Sequence, residues 1–161
     1  MIQEYFGVQL SWNLSVALPL DSVETVTRVE GKNICLLPGV APFWLGIINQ
    51  QGLLLWVLDT DMFFELVVPK EQQERALTAI VLSGKFQGAK IKVALIVNKL
   101  EGVLSIPKSY LENCDRQTLP PPLDPKYQKV FPIVIEQRDR KLIVLDSAAF
   151  FETLHDRALA V

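Results

Sequence analysis

Two apolar runs of strand length, Val40 to Ile48 and Leu53 to Leu58, stand on either side of the polar tetrad Asn49-Gln50-Gln51-Gly52. Runs this short, the second bounded by Gly52 and Asp59, predict buried or half-buried strands, and a glycine at the junction supplies the positive φ that a tight turn needs. The stretch 37–64 is therefore read as a hairpin. Upstream, Tyr5 to Leu10 and Leu14 to Leu18 flank Ser11-Trp12-Asn13 and predict an opening hairpin. In the next segment Val23, Thr25, Thr27 and Val29 share one face, with Glu24, Val26 and Arg28 on the other, as in a third strand. Glu30 to Asn33 has turn composition, and Ile34 to Leu37 leads into the central hairpin.

Downstream, Val68 to Arg75 is the most hydrophilic run and reads as an exposed connection. Thr78 to Leu82 and Ala89 to Val97, rich in β-branched and aliphatic residues, flank Ser83 to Gly88 as a further hairpin, and Val103 to Ile106 is a short strand stopped by Pro107. Leu119 to Pro125 holds four prolines, which remove backbone donors and predict a surface loop. Val130 to Ile135 and Leu142 to Leu145 form a last hairpin around the charged turn Glu136 to Arg140. Beyond it Ala148, Phe151, Leu154 and Ala158 recur at helical spacing, with Asp146 as N-cap.

Internal similarity organises these elements. Val57-Leu58-Asp59-Thr60 followed by Phe63-Phe64-Glu65 resembles Val144-Leu145-Asp146-Ser147 followed by Phe150-Phe151-Glu152. A weaker match relates Ala17 to Val26 with Ala94 to Val103. The extra length of the later copy fits into the Pro-rich loop, where insertion costs little closure entropy. The chain thus reads as two related halves of about five short strands each, and sheets that small protect their edges best by closing. The expectation is a single domain over 1–161, all-β with short helices, built as two barrels over approximately 5–67 and 77–146, with a helix over 147–159 packing across both. A single sandwich is the alternative.

Composition narrows function mainly by exclusion. With 161 residues and 50% hydrophobic content the chain can bury a sizeable core. Sixteen basic and eighteen acidic residues leave a charge of -2, too small a field to predict nucleic acid or an anionic membrane as partner. The N-terminus lacks secretory-signal features, and Pro38, Gly39, Pro42 and Gly46 interrupt the longest apolar region, so neither export nor membrane insertion is expected and a cytoplasmic location is. Cys35 and Cys114 read as free buried thiols. Asp59, Asp61 and Glu65 form a local acidic cluster, but the recurrence of Asp59 as Asp146 points to helix capping rather than metal. Lys85, Lys90 and Lys92 read as the solvated end of a hairpin. His155 has no catalytic constellation, so no catalytic residue, metal or cofactor is expected.

The order Ala17-Leu18-Pro19-Leu20, Val23-Glu24-Thr25-Val26, Leu37-Pro38, Leu45 to Gly52 and Val57-Leu58-Asp59 resembles the CheW family of chemotaxis coupling proteins, and Val93 to Ile106 and Arg140 to Glu152 are similar to its second-half strands and closing helix. The resemblance covers nearly the whole chain. It implies two five-stranded SH3-like β-barrels side by side and a non-enzymatic adaptor linking a receptor or photoreceptor tip to the regulatory domain of a CheA-type histidine kinase. It narrows toward the CheW-like proteins of cyanobacterial phototaxis and type IV pilus systems. Alternatives are a CheW-fold protein recruited to response regulators or pilus motor regulators, and a small β-barrel ligand-binding protein or enzyme.

Residues implied at the partner surface are Val23, Glu24, Phe43, Trp44, Gly46, Asn49, Gln51 and Gly52. Each has a plainer reading beside it. Gly46 and Gly52 can be backbone requirements of strand and turn, and Glu24 an ordinary solvated side chain. Of the neighbours Phe43 and Trp44 one should face inward and one outward. The family motif usually reads Asn-Leu-Arg-Gly with a proline four residues after the glycine, where this chain has Gln51 and Trp56. A neutral glutamine lacks the charge-assisted contacts of arginine, which predicts altered recognition at Gln51.

Overall fold

The computed structural model describes residues 1–66, 76–112, 118–137 and 140–159. Within them run ten strands: β1 (Ile2–Leu10), β2 (Leu14–Pro19), β3 (Val23–Glu30), β4 (Trp44–Gln50), β5 (Leu53–Asp59), β6 (Ala76–Phe86), β7 (Ala89–Val97), β8 (Lys99–Pro107), β9 (Ile133–Gln137) and β10 (Arg140–Val144). Three helices accompany them: α1 (Thr60–Phe63), α2 (Lys108–Glu112) and α3 (Ser147–Leu159). The connection expected at Val68 to Arg75, Cys114 and the tip of the turn at 138–139 lie outside the described residues.

Strand pairing follows the repeat but exchanges its parts. One five-stranded sheet has the order β8-β1-β2-β10-β9 and the other β3-β6-β7-β5-β4. The two orders are the same pattern, because β1–β2 and β6–β7 are equivalent hairpins. Each hairpin pairs with the third, fourth and fifth strands of the other half, and its second strand runs parallel to the closing strand, β2 with β10 and β7 with β5. The expected division into 5–67 and 77–146 therefore separates the sequence repeats and not the sheets. The physical reason is the shortness of two links. The turn Leu20–Ser22 after β2 and the single residue Asn98 after β7 hand the chain from one sheet to the other before a third strand can pair locally.

Three apolar clusters show how the sheets close. Tyr5, Ala17, Ile106, Ile135, Leu142 and Val144 fill the interior of the first sheet, one or more from each of its five strands. Val29, Ile48, Leu55, Val57, Ala79, Val81, Ala94 and Ile96 do the same for the second. These are two SH3-like barrels side by side. The largest cluster lies between them, and strands β2 and β7 serve it with alternate residues: Leu14, Val16 and Leu18 from one, Val93, Leu95 and Val97 from the other. Strands buried on both faces read as continuous apolar runs, which accounts for Val93 to Val97.

Asp59 and Asp146 each accept a hydrogen bond from the amide three residues on, Met62 N at 3.1 Å and Ala149 N at 3.0 Å, and so cap α1 and α3. Asp61 has a separate task. Its buried carboxylate accepts from the amide and hydroxyl of Ser11 at 3.0 and 2.6 Å, tying the β1–β2 turn to α1. Helix α3 buries Phe150, Phe151 and Leu154, whereas Ala148 and Ala158 are exposed, so its inward face is rotated from the expected one. Adjacent Phe150 and Phe151 both turn inward because α1 lies on one side of the helix and β6 on the other. Arg157, one turn further, donates to Phe63 O and to Tyr127 Oη and lies over the Phe63 ring at 4.3 Å.

The Pro-rich segment has neither strand nor helix before Pro125, but Leu119 and Leu123 are buried in the central cluster and anchor it. Cys35 is exposed, contrary to the expected buried thiol. Its backbone pairs with Ile47 as an isolated bridge along the outer edge of β4, which leaves the side chain exposed among the described residues.

Candidate functional site

The β4–β5 hairpin is the organising element of the candidate surface. Gln51 and Gly52, at φ of 52° and 84°, form a two-residue turn of the kind that matches strand twist, and the Asn49 side chain accepts from Gly52 N at 2.9 Å. Asn49 and Gln50 thus belong to β4 or support the turn, and Gln51 occupies its exposed tip. The strand begins at Trp44 rather than Val40, because Trp44 N bonds back to Ala41 O in a turn that follows Gly39 at φ 77°.

Gly46 is a packing residue. At φ 142° it sits in a bulge opposite Val57, and a Cβ there would lie 2.2 Å from Cys35 O. Of the adjacent aromatics, Phe43 is buried edge-on against Phe63 at 5.1 Å, while Trp44 turns outward against Trp56 at 5.0 Å.

Outside this hairpin the expected residues separate. Val23 and Glu24 lie on β3, at the opposite edge of the same sheet. Val23 is half-buried against the central cluster. Glu24 is exposed and pairs with Lys90 at 3.1 Å and Lys92 at 3.9 Å. The Ser83 hydroxyl bonded to it, together with the Lys90 ammonium, holds its carboxyl below the usual carboxylate range.

Of the buried and half-buried alternatives expected for the run Leu53 to Leu58, the structure has the half-buried one. Leu55 and Val57 point into the barrel, which leaves Leu54 and Trp56 on the outer face, and Leu53 is open beside the turn. Leu53 and Leu54 are 66% and 72% exposed, and Leu36 reaches 78%. The uninterrupted run Leu53 to Leu58 has no period to mark its outer face, and only the unusual Trp56 signalled it. An open cavity of about 430 Å3 adjoins this face, with Trp44, Trp56, Lys92, Val93, Phe151 and Leu154 among its lining residues.

Among the described residues no group of three or more His, Cys, Asp or Glu could hold a metal ion, and no helix is long and apolar enough to cross a membrane. What the surface offers chemically is apolar contact on a stiff sheet, with neutral hydrogen-bonding groups at its tip.

The fold is thus two five-stranded SH3-like barrels that exchange strands between the sequence halves, with an exposed apolar strip on the β4–β5 hairpin. The CheW-like domain family matches residues 4–155, and the chain belongs to that family of non-enzymatic scaffold proteins. The crystal structure of the scaffolding protein TtCheW from Thermoanaerobacter tengcongensis has the same fold. It aligns with a TM-score of 0.68 at 20% sequence identity, covering 94% of this chain and 94% of that one. Comparison with curated proteins returned no match.

Proposed function

We propose that the protein is a cytoplasmic adaptor that holds a CheA-type histidine kinase beside the tip of a chemoreceptor or photoreceptor. The observation that carries this reading is the exposed strip Leu53, Leu54 and Trp56 on a strand paired on both sides. Large apolar side chains held in place by a sheet lose little freedom on docking and are suited to anchoring a partner. Membership of the CheW-like family supports the same reading. The kinase regulatory domain docks on the outer face of β5, and the receptor tip takes the end of the hairpin at Gln51.

The tip of the hairpin sets partner choice. Gln51 offers amide donors and an acceptor where an arginine would offer a charged fork, which favours a receptor surface that presents neutral hydrogen-bonding groups at that point. Calorimetric titration with the kinase regulatory domain encoded in the same operon should give saturable binding that Leu54→Asp abolishes. Absence of binding at about tens of micromolar would refute the coupling role.

A further inference from the structure

We propose that the pocket at the β1–β2 turn binds a neutral polyhydroxylated ring of monosaccharide size, stacked on Trp12. The turn itself singles this residue out. Trp12 and Asn13 both hold left-handed backbone, at φ of 64° and 54°, and the turn closes through a hydrogen bond from Leu14 N to Ser11 O. Two other hairpins of the chain turn at Gln51–Gly52 and Gln87–Gly88, with a polar residue first and glycine second. Glycine takes such backbone without strain, whereas a bulky side chain there is an outlier, and the Trp12 indole recovers little of that cost because it is 59% exposed. Folding alone does not call for a tryptophan at this point.

The site is stiff and uncharged. Ser11, next to Trp12, donates its hydroxyl to the buried Asp61 carboxylate at 2.6 Å and accepts from Asn98 Nδ2 at 3.1 Å, which fixes the turn to α1 and to the link after β7. Beside it opens a pocket of about 290 Å3, at the small end of ligand sites, lined by Gln9, Leu10, Ser11, Trp12, Asn13 and Asn98. None of these residues is charged, so an ionic ligand would leave water without a counter-charge. A purely apolar ligand would cover the Asn98 amide, which after bonding Ser11 keeps a second N–H and its Oδ1, and leave it unpaired. A sugar ring avoids both costs. Its C–H face covers the indole, and its hydroxyls both donate to and accept from amides.

Methyl glycosides of glucose, galactose and mannose are suitable probes, titrated while the indole Nε1–H signals are followed by NMR, the Trp12 signal being the one lost in Trp12→Gly. At least one glycoside should shift that signal saturably at about millimolar Kd, with the Trp44 and Trp56 signals unmoved. Trp12→Gly should abolish saturation transfer from the protein to the glycoside while the urea midpoint stays level or rises, which separates binding from folding. Asn13→Ala should weaken binding about fivefold. No saturable shift with any of the glycosides, an equal response of all the indoles, binding retained in Trp12→Gly, or a lowered midpoint in that variant would each overturn the assignment. Loss of kinase-domain binding in Trp12→Gly without glycoside binding to the parent would also overturn it, and would make the indole a protein anchor.

Discussion

Phe63 and Phe150, equivalent positions in the two sequence repeats, meet with ring centroids 5.5 Å apart and planes at 67° in the central core. Both are fully buried, and Phe64 joins them at 5.0 Å from Phe63 and 6.2 Å from Phe150. The repeat is thus a set of parts completed by its other copy, since each half supplies part of the core between the barrels. Phe63→Ala and Phe150→Ala should each destabilise by ~3–5 kcal/mol in urea unfolding. A loss below about 1 kcal/mol for either would show that the rings do not join the halves.

The two hairpin glycines should respond differently to substitution. Gly46→Ala drives a methyl into Cys35 O at a backbone angle that disfavours any side chain. Gly52→Ala meets nothing within 4 Å and bears only the strain of a φ of 84°. Gly52→Ala should cost about 1 kcal/mol and Gly46→Ala clearly more, measured by chemical denaturation. Equal costs would contradict the packing role of Gly46.

Alkaline stability should depend on Tyr127. Its hydroxyl donates to Phe63 O at 3.1 Å, and burial, the main cause, pushes its pKa from 10.0 up to about 12. The unfolded chain therefore releases this proton first. The tyrosine leaves stability unchanged below about pH 10 and lowers it as pH rises from there toward 12. Tyr127→Phe should lose about 1 kcal/mol at neutral pH through the missing hydrogen bond, yet decline less steeply in alkali. Tyr5, also raised by burial, acts in the same direction, so the decline is reduced and not abolished. Unfolding free energies measured across this range in both proteins decide the point, and parallel declines would exclude Tyr127.

Gln51→Arg tests the hairpin tip. The side chain is exposed and already sits at a φ of 52°, so the change should leave the urea midpoint within about 0.5 kcal/mol of the parent. Affinity for receptor fragments should nevertheless change. Unaltered binding to every partner would remove Gln51 from the interface.

Leu54→Asp tests the strip below that tip. At 72% exposure the leucine contributes little to folding, so the variant should keep its stability while kinase-domain affinity falls by at least about tenfold. A folded variant with unchanged affinity would move the docking surface elsewhere.

Most strands were legible in the sequence because turn residues and short apolar runs are local signals. Ser11-Trp12-Asn13, Gln51-Gly52 and Gln87-Gly88 lie where the hairpin pattern placed or bracketed them. Both aspartate caps were legible from the recurrence of Asp59 as Asp146. The candidate surface was less so. Leu53 and Leu54 belong to an unbroken apolar run, and which residues face solvent depends on β5 lying between β4 and β7. The inward face of α3 was missed for the same kind of reason, since Phe150 is buried by α1, a partner distant in sequence.

By itself, then, the sequence determined the strands, their turns, the caps and the kinship of the two halves, all properties of neighbouring residues or of repetition along the chain. Only the tertiary structure decided which strands share a barrel. Pairing across the repeats depends on the short links at Leu20–Ser22 and Asn98 and on burying both faces of β2 and β7 at once. It also decided that Trp44, Trp56 and Phe151 meet at one cavity, because register and packing, which no local pattern encodes, bring them together.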